Sequence, residues 1–132
     1  MDNENTTTSK TAIKRVIDYE KSLGNEVIDA QNVRNLKGFD LISISNDKKS
    51  VKLIEVKGTK TENAIPDFFE TEFTRQKRLI ATHLYIVHIT QDNSTLHIIE
   101  SKNIKPEYVE ETRRYRIKSK YQKELLKNSK KV

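Results

Sequence analysis

The sequence predicts an α/β domain, with a central mixed sheet of four to five strands flanked by helices in the order helix–strand–strand–strand–helix–strand. Three observations carry that expectation. Apolar residues recur at helical spacing between Ile13 and Gly24, two short apolar strands flank the polar turn NDKKS, and a hairpin pattern, HLYIVHIT then LHIIE, surrounds the turn QDNS.

The elements follow in order. Residues 1–9 are polar and threonine-rich and are expected to be disordered. A helix starts at Ser9 or Lys10, with Ile13, Val16, Ile17, Glu20 and Gly24 on one stripe that Leu23 extends. Gly24 is its stop signal. Glu20 is the odd member, a carboxylate on the face that packs inward; it is either a rim residue or a contributor to a buried site. Residues 26–30 (EVIDA) form a short strand, and Gly38 gives the chain freedom to enter a strand over 39–45. A polar loop broken by Pro66 leads to a second helix over 69–81, with Phe69, Phe73, Gln76, Lys77 and Ile80 on one stripe. Gln76 and Lys77 on that stripe suit a groove better than a core. After the hairpin at 83–99, residues 118–127 read as an exposed basic helix. The chain thus divides into a disordered start, a domain over 10–111 and a basic helical tail over 112–132.

The stretch from Gly38 to Lys60 carries the chemistry. Side chains two apart on a strand share a face, so Glu55 and Lys57 stand side by side while Ile54 and Val56 point to the core. Asp40 on the preceding strand brings a second carboxylate to the pair. Charges on an otherwise apolar strand are costly to desolvate unless they have a role. Two carboxylates beside a lysine make a divalent-cation site of nuclease type; a salt-bridged sheet edge is the plain alternative. An acid two residues before a lysine also occurs at Asp47/Lys49, within the turn, and at Glu100/Lys102 after LHII. Neither has an acid on a separate preceding strand.

Composition narrows the class. With 132 residues the chain is one domain, and 34% hydrophobic residues predict a small core under a charged surface. Without cysteine there are no disulfides or thiolate metal sites. No apolar run reaches membrane-span length and the N-terminus lacks a signal peptide's apolar region, so a cytoplasmic protein is expected. His83, His88 and His97 have no ligand spacing, and KGTK lacks the glycine-rich lead of a phosphate loop. Residues 112–132 hold nine Lys and Arg against Glu124 alone, whereas residues 1–111 hold 16 basic and 18 acidic groups. The net charge of +6 therefore belongs to the tail. That asymmetry points to a polyanion, with nucleic acid the commonest, or else to a solvated lysine-rich helix.

The blocks VIDYEKSLGNEVIDAQN, GFDLISIS, KLIEVKG, an acid near the start of the next helix, and HLYIV resemble the PD-(D/E)xK nuclease superfamily, which includes restriction endonucleases and archaeal Holliday-junction resolvases. Within it the chain is most similar to the nuclease-like domain at the C-terminus of NO VEIN-type proteins, a domain also found with helicases and restriction systems. The resemblance covers about residues 12–104, and LIEVKG is its most specific piece. Phe39 stands where the superfamily usually has proline. The resemblance implies a restriction-endonuclease-like core and a Mg²⁺- or Mn²⁺-dependent deoxyribonuclease of restriction, defence or repair type. It implies Asp40, Glu55 and the backbone carbonyl of Val56 as metal ligands, Lys57 as the group that stabilises developing charge or helps orient the attacking water, and Glu20 as the helix glutamate of the same shell. Gln76 and Lys77, with Arg113, Arg114, Arg116, Lys118 and Lys120 of the tail, are the expected DNA contacts. A homodimer, a helicase or a restriction partner would supply target choice. The competing expectations are a catalytically silent DNA-binding module that keeps the fold, and an interaction subunit of a larger machine.

Overall fold

The strand pair at the centre of the sequence is also the centre of the fold. The computed structural model describes residues 3–33 and 36–132. Helix α1 spans Asn3–Ser22, followed by β1 (Glu26–Asp29), β2 (Leu41–Ile44) and β3 (Val51–Thr59). After a crossover come β4 (His83–Ile89) and β5 (Ser94–Glu100), then a small separate hairpin of β6 (Val109–Glu111) and β7 (Tyr115–Ile117). Helix α2 (Ser119–Asn128) and β8 (Lys130–Lys131) end the chain. The main sheet has the order β1-β2-β3-β4-β5-β8. Only β3 and β4 are parallel, and parallel neighbours need a long crossover, here residues 60–82. The architecture is α/β with a mixed sheet and two helices, wider than the four to five strands expected because β8 joins it.

Strand alternation decides both faces of the sheet. Leu41 is opposite Ile54 in the register, and these residues join Val56, Tyr85, Val87 and Leu96 under Ala12 and Val16 of α1. On the other face Leu84, Ile86 and Ile99 meet Ile65, Phe68 and Phe73 of the crossover, together with Val109, Ile117 and Leu126. Glu55 and Lys57 belong to this second face, so the acid–lysine pair lies under the crossover, with the first turns of α1 at one wall of its cavity.

α1 is helical from Asn3, where the sequence suggested disorder through residue 9; residues 1 and 2 lie outside the described residues. Packing is the cause. A Cβ on Gly58 would stand 2.9 Å from Ala12 Cβ and 3.0 Å from the Thr8 carbonyl oxygen, so the early turns of α1 lie directly on the far end of β3. The stop at Gly24 is as expected: its φ is +83°, and its N–H donates to Lys21 at 2.9 Å.

Two expectations fail. The helix over 69–81 is absent; the segment has a single 3₁₀ turn at Glu70–Glu72, then a tight turn in which Thr74 N–H donates to the Arg78 carbonyl at 2.8 Å. Phe68 and Phe73 are both buried, and on a helix they would point about 140° apart. An extended path instead lets Phe68 pair with Tyr115 and lets Phe73 meet both rings edge to face.

Nor are residues 112–132 an appended tail. Ile117 is fully buried, Leu126 enters the core, and Gln122 accepts from Ile65 N–H at 2.9 Å while donating to the Ile117 carbonyl at 2.7 Å. The basic residues are the solvent side of an integral helix and hairpin.

Candidate active site

β3 outruns β2, and the site forms where it does. The two strands pair only as far as Leu41 and Ile54. One step further, Asp40 N–H donates to the Ile54 carbonyl at 2.8 Å, and Val56 N–H donates to Asp40 Oδ2 at 2.8 Å. The Asp40 carboxylate thus takes the place of the next backbone acceptor, beside Glu55. Gln31 Nε2 donates to Asp40 Oδ1 at 3.1 Å.

Glu55 is 4% exposed, and its Oε2 is 3.7 Å from Lys57 Nζ. Lys57 lies closer to Glu72, with Nζ 3.0 Å from Oε1. The same Oε1 accepts from Phe69 N–H at 2.7 Å, which pins Glu72 to the 3₁₀ turn. Glu72 Oε2 is buried without a hydrogen-bond partner among the described residues. The ammonium also sits 5.0 Å from the Phe68 ring centroid and 5.7 Å from that of Phe69.

Three carboxyls around one ammonium carry surplus negative charge, and their proton affinities answer it. Burial, the hydrogen bond to Glu72, and the charges of Asp40 and Glu72 push the Glu55 carboxyl up to about 12, so it holds a proton at neutral pH. Burial alone would raise Glu72 too, but the hydrogen bond with Glu55 and the Lys57 charge bring it below the usual carboxylate value. Asp40 is raised by burial, which outweighs its hydrogen bonds with Glu55 and Val56 N–H.

The donors are all oxygen, which suits a hard divalent cation. Asp40, Glu55 and Val56 line one cavity of about 620 Å³, and the buried, unpartnered Glu72 Oε2 adds a carboxylate oxygen beside them. Among the described residues, however, no three acidic or histidine side chains form a group that could hold a metal ion. Glu72 is turned to Lys57 instead.

Other expected residues lie elsewhere. Glu20 is fully buried on the α1 face, where it accepts from Tyr85 Oη at 2.6 Å, Ser43 Oγ at 2.7 Å and Asn25 Nδ2 at 3.1 Å and pairs with Lys52 Nζ at 3.3 Å. Burial works against its charge, but these hydrogen bonds and Lys52 win, leaving its carboxyl below the usual value. The sheet separates Glu20 from Glu55, so it is no part of this cluster. Gln76 and Lys77 sit on the exposed turn after the 3₁₀ segment, outside the cavity. Of the basic residues expected to contact nucleic acid, only Arg114 lines it among the described residues. Arg116 is held by Glu110 at 3.2 Å, and Lys120 lies over the Tyr121 ring at 5.0 Å. Arg113 is exposed, and Lys118 precedes α2. The rival pair Glu100/Lys102 is a 3.2 Å surface contact, with side chains 51% and 77% exposed.

Glu72 and Gln31 were not singled out by residue number in the sequence. The stripe expected over 69–81 leaves Glu72 off its face, and only the resemblance, with its acid near that helix start, signals it. A second cavity, of about 650 Å³, lies between the end of α1 and α2. There Lys52 and Lys130 are offset by Glu100 and Glu124, and no acid–lysine cluster like that around Lys57 is present among the described residues.

No helix among the described residues is long and apolar enough to cross a membrane. The family model for the C-terminal region of the protein NO VEIN matches residues 8–99. No curated protein and no solved structure matches the chain.

Proposed function

We propose that this chain, which belongs to the NO VEIN C-terminal family, is a metal-dependent DNA endonuclease with a PD-(D/E)xK-type site. The observation that carries the reading is the meeting of Asp40, Glu55 and Lys57 in one cavity where β3 extends past β2. The restriction-endonuclease-like order supports it: a helix, three antiparallel strands, a crossover and a parallel strand, with one acid just before the second strand and one on the third.

Asp40, Glu55 and the Val56 carbonyl would hold Mg²⁺ or Mn²⁺, which supplies a Lewis acid for the phosphate and lowers the pKa of the attacking water. The protein's own groups do the rest. Asp40 is fixed by Val56 N–H and Gln31, so its carboxylate keeps one orientation at the cavity wall. Lys57 is restrained by Glu72 and by the Phe68 ring, and its ammonium offsets negative charge that develops on a phosphate oxygen. Glu55 would have to give up its proton to solvent to become a ligand, since burial and the neighbouring carboxyls favour its neutral form. Target choice would come from a second copy or from a helicase or restriction partner. The setting is a restriction, defence or repair system in the cytoplasm.

A second reading draws on a different observation. Both Asp40 oxygens already accept hydrogen bonds, which suits a catalytically silent DNA-binding module. Incubating the pure protein with supercoiled, linear, single-stranded and branched DNA in Mg²⁺, Mn²⁺ or EDTA separates the two. Cation-dependent cleavage that Asp40→Asn loses supports the endonuclease. DNA binding without cleavage on any substrate supports the silent module.

A further inference from the structure

The reactive groups lie deep. The Glu55 and Lys57 side chains are 5% and 14% exposed, at the bottom of a cavity walled by Thr8 of α1, Gly38 and Phe39, and the Pro66–Glu72 segment. A duplex is a stiff rod, with a persistence length of about 150 bp, and it offers its phosphates along a continuous backbone. Bringing one of them to the floor of such a cavity requires local distortion. A single strand bends freely and can lower a phosphate alone.

The mouth of the cavity has a feature that the core does not need. Phe69 is 57% exposed, while its neighbour Phe68 is fully buried and does the packing. The Arg114 guanidinium carbon lies 5.0 Å over the Phe69 ring, and Arg114 makes no ion pair among the described residues. The ring is tied to the reactive groups through the Phe69 N–H to Glu72 hydrogen bond. An exposed aromatic ring with a cation beside it, at the rim of the cleft that holds Lys57, is the arrangement on which unpaired bases stack.

We propose that the cavity takes an unpaired DNA strand, and that Phe69 with Arg114 is the platform for a base next to the scissile phosphate. This deepens the endonuclease reading and rests on it for the word scissile, while strand binding stands by itself. Stacking tolerates any base, so the platform selects strandedness and not sequence.

The test uses fluorescence anisotropy in EDTA and again in Ca²⁺, with labelled oligothymidylate, a hairpin duplex and oligouridylate, followed by cleavage in Mg²⁺. The wild type should bind oligothymidylate most tightly. Phe69→Ala should weaken that binding about tenfold or more, the scale of losing one base–aromatic stack. Phe69→Trp should retain it, duplex binding should not change, and Arg114→Ala should repeat the loss in a second background. Equal binding of strand and duplex, or strand binding that neither variant weakens, overturns the proposal. Tighter binding of oligouridylate overturns the assignment to DNA. If no DNA is cleaved yet the Phe69-dependent preference holds, the endonuclease reading fails and this one stands. Cleavage by the wild type, with a Phe69→Ala variant that binds strands normally, upholds the endonuclease and overturns the platform.

Discussion

Glu20 and Glu55 are buried on opposite faces of the same sheet, and their carboxyls are shifted in opposite directions. Glu20 is ionised because Tyr85, Ser43 and Asn25 donate to it and Lys52 lies beside it. Burial, followed by the two neighbouring carboxyls, pushes the Glu55 carboxyl up toward its neutral form. One sheet therefore carries two buried carboxyls shifted in opposite directions, and substitution tells them apart.

Removing Glu20 should be felt in stability. Glu20→Ala strips Lys52, Ser43 and Tyr85 of their common partner and should cost about 3 kcal/mol or more. Because the folded-state value is lowered, this contribution is present above pH 4.5 and fades as the pH falls through the lower folded value. Thermal melts should show the loss at pH 7 and a smaller gap toward pH 3, while Mn²⁺ binding by calorimetry stays intact. A stable Glu20→Ala variant unable to bind Mn²⁺ would put Glu20 back in the site.

Glu55→Gln should have the opposite sign. The raised carboxyl favours the folded state only below its ordinary value of 4.5, and stability then declines as pH rises toward about 12. The amide needs no proton, so the variant should melt above wild type at pH 8 and converge with it near pH 4. It should also lose all cation-dependent cleavage. Equal melting at pH 8 would show that Glu55 is not held protonated.

Cation binding should release a proton. Calorimetric titration of Mn²⁺ at pH 7 in two buffers of different ionisation enthalpy should give unequal apparent heats, with close to one proton leaving per site, since Glu55 must ionise to become a ligand. In Asp40→Ala and Glu55→Gln the heats should vanish. Identical heats in both buffers with normal affinity would place the bound cation elsewhere.

Lys57→Ala should lower the cleavage rate by roughly two orders of magnitude or more, the scale of losing one aimed electrostatic group, while changing DNA affinity little. Glu100→Ala and Lys102→Ala should leave the rate within a small factor of wild type. The opposite pattern in a single-turnover assay would move the chemistry to the end of β5.

Chain ends need a different experiment from the one their charge suggests. Cutting after Thr112 would remove Ile117, Gln122 and Leu126 from the core, so the product should fail to fold, as judged by circular dichroism. Leu126→Ala alone should cost about 2–5 kcal/mol. Charge removal at Arg113, Arg114, Lys118 and Lys120 together should instead flatten the salt dependence of DNA binding, by about 0.9 in the log–log slope for each phosphate no longer neutralised.

Much of the sheet was legible because alternation is a local signal. Ile54 and Val56 inward, with Glu55 and Lys57 opposite them, follows from period two, and Gly24 ends α1 for a local conformational reason. Which face α1 covers is a long-range fact, and so the stripe located Glu20 inside without saying on which side. The crossover misled because Phe68 and Phe69 are adjacent and only one can be core; a helical stripe selected the exposed one. In α2 a buried position is filled by Gln122, whose role is to bond two backbone groups, so an apolar count reads the segment as solvent-facing.

The Phe68–Tyr115 bridge ties the crossover to the start of β7 with two backbone hydrogen bonds, at 2.8 and 3.2 Å, and Phe68 itself lies in neither a helix nor a named strand. Such a segment can open in a sub-global event while β3 and β4 stay paired. Exchange of the Phe68 and Tyr115 amides with deuterium would then run faster than exchange along β4. In that case the segment that carries Glu72 would have an opening equilibrium separate from global unfolding.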